Sequence, residues 1–456
     1  MIQGYPDRPS VLPGGTLTFH VSTDAPRFRV DFYRQGQTLV FMGNLGGGWM
    51  VGQNVPQGRP NQDWRWPDYA FPIPGDWPSG AYIAMFIEGD ANGNQISSPD
   101  TSKADGQDAK ALFVVKSTAP GTSVSILYKL PLFTYHAYNY TGGGSLYEGS
   151  NSVTLHRPGG GTGGKTTEFG PGNEGHIDVY DQSSLRQTFA HWDVPFIVWL
   201  EKNGYQVDYC TDLDIHEDRN LDLLRPYKLL LSVGHDEYWS EDMRTHVETF
   251  IQNGGNVAFF SGNTCWWHIV FDDAITFRNT ARWWELNNPE NSLTGVSYRD
   301  GGGWYFRERE AVGYTVQHAE HWVYTGTGLS NNGTFGSNEH LVGYECDGVG
   351  DGTPSNFLIL GVGKLHGWQD TPSGKATATM GIYSRNGIVF TAATTDWARV
   401  LANDEPHVEQ TTRNVLNRLR TNVHSLRQFL QAKGVTSVRP LQPTGSISVR
   451  SLLGLW

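Results

Sequence analysis

Lys228-Leu-Leu-Leu-Ser-Val-Gly-His235-Asp236-Glu237-Tyr238-Trp239-Ser240 and, after one intervening segment, Asn256-Val-Ala-Phe-Phe-Ser-Gly262-Asn263-Thr264-Cys265 decide the fold class. Each begins as a short apolar run of strand length and ends in polar residues. Between them Ser240 suits a helix N-cap, and Glu241 and Asp242 suit the positive helix start. Met243, Val247, Phe250 and Ile251 make one apolar stripe, and Gly254-Gly255 ends the helix. Strand, helix, strand in this order predicts a parallel, doubly wound sheet. Ligands of such sheets sit outside the carboxyl ends of the strands. His235, Asp236, Glu237 and Tyr238 crowd one such end, so a site is expected there.

Working outward, residues 1–116 alternate between apolar and polar. Thr16–Ser22, Arg27–Tyr33, Gly80–Ile87 and Ala109–Lys116 are separated by Gly, Pro, Asn and Asp turns. This predicts an all-β domain, an immunoglobulin-like β-sandwich by size and spacing. Ser117–Thr122 reads as a linker. A second domain over 117–435 opens with the strand Val124–Leu130. A Gly-rich stretch near 141–175 reads as a surface insertion. A helix is expected around Pro195–Asn203, a strand at Tyr205–Thr211, a late strand at Ile388–Thr394 and a helix at His407–Leu419. Residues 436–456 read as a tail without clear elements.

The chain has 456 residues and a formal net charge of −12, which argues against nucleic acid or an anionic membrane as partner. Cys210, Cys265 and Cys346 form no disulfide framework, and the start has no signal-like region, so a cytoplasmic protein is expected. No apolar run is long enough to span a membrane.

Two motif-like stretches carry less than their letters suggest. Gly159-Gly-Gly-Thr-Gly-Gly-Lys165-Thr166 spells a phosphate-binding loop, but His156-Arg157-Pro158 precedes it and no helix can follow. A flexible insertion is the preferred reading. Cys265 lies where a nucleophile elbow would fall, but Trp266-Trp267 follow instead of the required glycine. Asn263 is the better functional residue there, as an amide donor to a substrate oxygen, with a turn former at the strand end as its plain alternative.

With Gly4-Tyr-Pro-Asp-Arg-Pro-Ser10, Ala137-Tyr138-Asn139, Gly143-Gly-Ser145-Leu-Tyr147, His156-Arg157-Pro158, Thr211–His216, Gly234–Trp239, Ser261–Thr264, His321-Trp322 and Thr395-Asp396-Trp397-Ala398 in order, the chain resembles the catalytic, C-terminal part of the N,N-dimethylformamidase large (beta) subunit family. The resemblance implies a β-sandwich followed by a flavodoxin-like domain, akin to class I glutamine amidotransferases. It implies hydrolysis of a small amide at ferric iron held by two tyrosines and a glutamate. It puts one tyrosine on Tyr238. Tyr138 is a candidate for the second, and Glu320 and Glu290 are candidates for the carboxylate. A small partner subunit or a homo-oligomer is compatible with it.

From the residues, His235 or Glu237 would position or deprotonate water, with Asn263 and His321 as further catalytic candidates. Tyr138, Asn139, His216 and Asp396 fall at strand ends and are candidates for the substrate pocket. His318 and His321 could also be ordinary surface or core histidines, and Asp396 a turn or cap. The competing expectation is a non-catalytic carbohydrate- or ligand-binding protein whose Trp-rich stretch (264–306) presents a stacking surface. An amidotransferase-like enzyme with another nucleophile is a third.

Overall fold

The computed structural model describes residues 1–44, 48–105, 109–163, 178–305 and 308–421. The expected tail at 436–456, and Lys165 and Thr166 of the Gly-rich stretch, lie outside the described residues.

The N-terminal half holds two sheets. Gln3–Pro6, Thr16–Ser22 and Asp68–Pro72 form one, with antiparallel pairing. The other runs in the order Ser10–Val11, Lys110–Val115, Gly80–Gly89, Arg27–Gln35, Leu39–Asn44. Their facing sides share an aromatic core, with Phe19 set against Phe32, Phe71, Phe86 and Phe113 at ring-centroid separations of 5.7–5.8 Å. The strand Gly80–Gly89 explains its own unbroken apolar run. Tyr82, Ala84 and Phe86 enter this core, while Ala81, Ile83 and Met85 point the other way into the core of the second half. A strand covered on both faces has no reason to alternate.

The second half is built on a sheet of nine strands among the described residues, in the order Asp208–Thr211, Ile126–Leu130, Leu229–His235, Asn256–Gly262, Ile388–Thr391, Thr377–Ser384, Leu358–Lys364, Tyr314–Val316, Thr334–Phe335. The first five are parallel and the remainder pair antiparallel. Numbered along the chain, the parallel strands run 2-1-3-4-5. The chain therefore leaves Ile126–Leu130 toward one edge and returns to its other side, and the order reverses between Ile126–Leu130 and Leu229–His235.

Helices cover both faces. Leu229, Leu231 and Val233 pack with Phe196, Ile197, Val400 and Leu416 on one side, and Leu230 packs with Leu213, Met243, Val247 and Ile251 on the other. Each such side chain, fully buried, contributes roughly 1.5–3 kcal/mol. The helix Glu241–Gln252 starts where its cap signal predicts, with Ser240 Oγ accepting from Met243 N at 3.2 Å. Among the described residues, no helix is long and apolar enough to cross a membrane.

The Gly-rich stretch departs in part from the expected surface insertion: Gly143, residues 147–149 and Asn151 are exposed, but its later segment is not. Arg157, Pro158, Gly159 and Gly161–Gly163 are buried, and the segment packs beneath the helix Leu132–Tyr138 rather than projecting from the molecule.

Candidate functional site

The reversal of strand order marks the position where ligands of open α/β sheets bind. Tyr138 enters it from the end of the helix Leu132–Tyr138, which follows the first parallel strand. Glu237 enters from the turn after the third. Tyr147 comes from the Gly-rich turn beyond Tyr138. Tyr138 Oη donates to Glu237 Oε2 at 2.9 Å. Tyr147 Oη lies 2.8 and 2.9 Å from the two Glu237 oxygens and 2.9 Å from Tyr138 Oη. Tyr238 Oη hydrogen-bonds to Tyr147. Three phenols and a carboxylate thus converge.

Burial, then the negative charge of Glu237, holds the Tyr138 and Tyr238 phenols well above their ordinary pKa. Burial also raises the Glu237 carboxyl, with His235 opposing and Glu345 adding to the rise. Among the described residues, no Lys or Arg pairs with Glu237. Tyr147 is the open side: its hydroxyl is turned inward, yet the residue is 45% exposed and borders a cleft with Pro60, Gly142 and Gly143.

Beside this cluster lies a histidine–carboxylate pair. His235 ends its strand, where Gly234 takes φ +70° and a Cβ would strike Trp192 at 2.6 Å. His235 Nε2 sits 2.6 Å from Glu345 Oε2 and 3.6 Å from Glu237 Oε2. His235 Nδ1 faces Gln187 Oε1 at 2.9 Å, and that oxygen also accepts from Trp192 Nε1. Nδ1 therefore carries a proton, and Nε2 is the nitrogen turned toward the two carboxylates. Glu345 reaches the site because Gly262 lets its strand approach: a Cβ there would meet Glu345 O at 2.6 Å.

On the opposite side of the His235–Trp239 turn, Asp236 faces a closed ion cluster. Lys129 Nζ donates to Asp212 Oδ1 at 2.6 Å and to Asp236 Oδ1 at 2.7 Å, all essentially without solvent. Ser232 Oγ and Trp239 Nε1 complete Asp236. This cluster ties the first and third parallel strands together and fixes the turn that presents Glu237.

The structure brings together Tyr138, His235, Glu237, Tyr238 and Asn263 of the residues predicted from sequence, and adds Tyr147, Glu345 and Gln187. Asn263 Nδ2 is 3.1 Å from Glu345 Oε2, so it orients that carboxylate instead of standing free as a donor. Asn139 bonds Pro158 O and Thr141 N, making it a loop tie.

The remaining candidates have their partners elsewhere. Glu320 is an exposed side chain paired with His318. Glu290 is buried against Ser297, and His321 caps the turn Trp322–Tyr324. His216 bonds Ser240 Oγ and stacks on Phe271. Asp396 is neutralised by Arg309 and Arg399. None of these five bonds the tyrosine–glutamate cluster; each has a local partner of its own. Cys265 is fully buried, and burial pushes its thiol well up, which removes it as a nucleophile. Trp283 is fully buried, and Arg282 and Arg299 lie over the rings of Trp266, Trp267 and Trp284. The expected stacking surface is therefore already covered. No group of three or more His, Cys, Asp or Glu side chains with metal-holding geometry occurs among the described residues. The donors converging here are mainly phenols.

A family described as "N,N-dimethylformamidase beta subunit-like, C-terminal" matches residues 27–410. The N,N-dimethylformamidase beta subunits of Alcaligenes sp and Paracoccus aminophilus are each 32% identical to this chain over 87 residues, 18% of this chain and 11% of theirs. The matched stretch is thus a small part of those proteins' length. A solved family 123 glycoside hydrolase from Clostridium perfringens matches 28% of this chain and 27% of its own, at 13% identity with a TM-score of 0.14, too low to bear on fold or chemistry.

Proposed function

This chain belongs to the N,N-dimethylformamidase beta subunit-like family, and from that premise we propose that it hydrolyses a small amide at a ferric centre held by Tyr138, Tyr147 and Glu237. One observation carries the reading: these three side chains put their oxygens within 2.8–2.9 Å of one another, with no Lys or Arg paired to Glu237 among the described residues. Phenolate and carboxylate oxygens are hard donors suited to a hard cation. In this reading Glu237 replaces Glu320 and Glu290 as the carboxylate, and Tyr238 supports Tyr147 by hydrogen bonding. The sandwich and the 2-1-3-4-5 sheet are read as immunoglobulin-like and flavodoxin-like.

Bound there, ferric iron would supply Lewis acidity toward a carbonyl or a water. The protein's own residues do the rest. The open side at Tyr147 admits a small substrate. His235 Nε2 takes a proton and shares it with Glu345, whose orientation Asn263 Nδ2 fixes. Gln187 keeps the His235 ring in one tautomer. The buried surroundings keep the charges near the reacting atoms strong. The relatives are named as beta subunits, which supports assembly with a further subunit.

The test is elemental analysis of the purified protein, with visible absorbance for ferric phenolate and an amide hydrolysis screen. We expect about one iron per chain, lost in Tyr147→Phe and Glu237→Gln. Protein that takes up no iron, with both variants equal to wild type in every assay, overturns the reading.

A further inference from the structure

We infer that Arg157 is a positioning residue that holds the loop 136–147, and with it Tyr138 and Tyr147, in register; this rests on reading those two tyrosines as the working pair. Arg157 is 1% exposed. Its guanidinium donates from Nη2 to His136 O at 2.6 Å, and from Nη1 to Thr141 O at 3.0 Å and Gly144 O at 2.9 Å. The three carbonyls flank Tyr138 and precede Tyr147. The loop closes on itself through Leu146 N to Ala137 O at 2.9 Å, so Arg157 sits at the hub of a lasso bearing both phenols.

No carboxylate pairs with Arg157 among the described residues, and burial alone pulls its pKa down to about 9. A buried charge without an opposite ion is costly, and carbonyl dipoles must stand in for one. His136 O belongs to the last turn of the helix Leu132–Tyr138, the negative end of its dipole. A planar fork with five donors can serve three acceptors at once, which an ammonium on a flexible stem does poorly. A second tie joins the same segments: Asn139 Nδ2 donates to Pro158 O at 2.7 Å. From outside, Gly142 lies so close to Trp64 of the N-terminal half that a Cβ would come within 2.7 Å of the indole. The lasso is therefore gripped from within by Arg157 and backed from without by Trp64.

The experiment is hydrogen exchange on the full chain as purified, comparing wild type with Arg157→Lys, alongside iron content. We expect amides in 139–148 to exchange at least about tenfold faster, since hydrogen bonds to a charged group are lost, while amides in 229–235 and 256–262 keep their rates. Unchanged exchange in 139–148, or an equal rise throughout the chain, overturns the proposal. If Arg157→Lys does not fold, Asn139→Ala must give the same local signature, and a uniform or absent change overturns it. Exchange needs no metal. A wild type without iron but with a loosened loop in Arg157→Lys would sink the ferric reading and leave the positioning role standing. Normal iron with an unaltered loop would do the reverse.

Discussion

Of three tyrosine–tyrosine–carboxylate clusters among the described residues, the third joining Tyr298, Tyr305 and Asp370, those at Asp193 and Glu237 contrast most directly: one is closed and the other reaches the surface. Asp193 accepts hydrogen bonds from Tyr128 at 2.9 Å and from Tyr135, with all three residues at most 1% exposed. Glu237 accepts from Tyr138 and Tyr147, with Tyr147 nearly half exposed. Burial raises both carboxyls, Asp193 to about 7. The donor chemistry is the same, so donors alone do not make a site. The Glu237 cluster differs in reaching the surface through Tyr147 and in having His235 Nε2 3.6 Å from its carboxylate. Asp193 has neither, and serves as a polar anchor between strand and helix.

Lys129 offers the largest test, since it bonds Asp236 beside the open cluster and its charge lowers Asp193 in the closed one. Lys129→Met leaves Asp212 and Asp236 buried without a cation and should cost about 3–5 kcal/mol, read by chemical denaturation. A loss under about 1 kcal/mol would mean the cluster does not set the strand ends. Next, Glu237→Gln should lower iron content and hydrolysis at least about 100-fold with little change in denaturation midpoint, whereas Asp193→Asn should spare activity; equal activity losses would erase the distinction. Glu345→Gln should reduce turnover by roughly 100-fold and remove one limb of the pH–rate profile; an unaltered profile would take Glu345 out of proton transfer.

A different kind of test is stability against pH. Burial raises the carboxyls of Asp193 and Glu290 to about 7 and of Asp347 to about 8. The folded state keeps protons that the unfolded chain gives up near pH 4. This stabilisation is complete below that pH and is lost as pH rises through 7 to 8, by at most about 1.4 kcal/mol per pH unit for each group. Denaturation midpoints should fall from pH 5 to pH 8, and Asp193→Asn should flatten part of the slope. A flat wild-type profile would contradict it.

The strand–helix–strand unit around His235 was legible because uninterrupted apolar runs, an N-cap and paired glycines all point the same way. Glu237 was legible as a candidate at that strand end, read as a proton carrier; its place beside Tyr138 and Tyr147 was not. Lys129 was hidden: a lysine in Val124–Leu130 looks like a solvent-facing residue until Asp212 and Asp236 fold onto it from 83 and 107 residues away. Tyr147 stood in a motif already singled out, but tyrosine ligands follow no spacing rule. A tyrosine ending the helix after a core strand, with a second on the glycine-rich turn that follows, was the available signal. Glu345 arrives through the close approach at Gly262, a contact with no local trace in sequence. His321, Asp396 and Glu290 misled because burial of a polar residue is met as well by capping and ion pairing as by catalysis.

The contact of Trp64 with Gly142, together with the strand Gly80–Gly89 feeding two cores at once, limits how this architecture can be recombined. A breakpoint at 116/117 falls at a clean compositional seam, yet a chimera made there would separate the loop bearing Tyr138 and Tyr147 from its backing wall. The two parts share packing across this seam. An exchange of N-terminal parts between relatives would keep this loop backed only where the donor brings its own partner for Gly142.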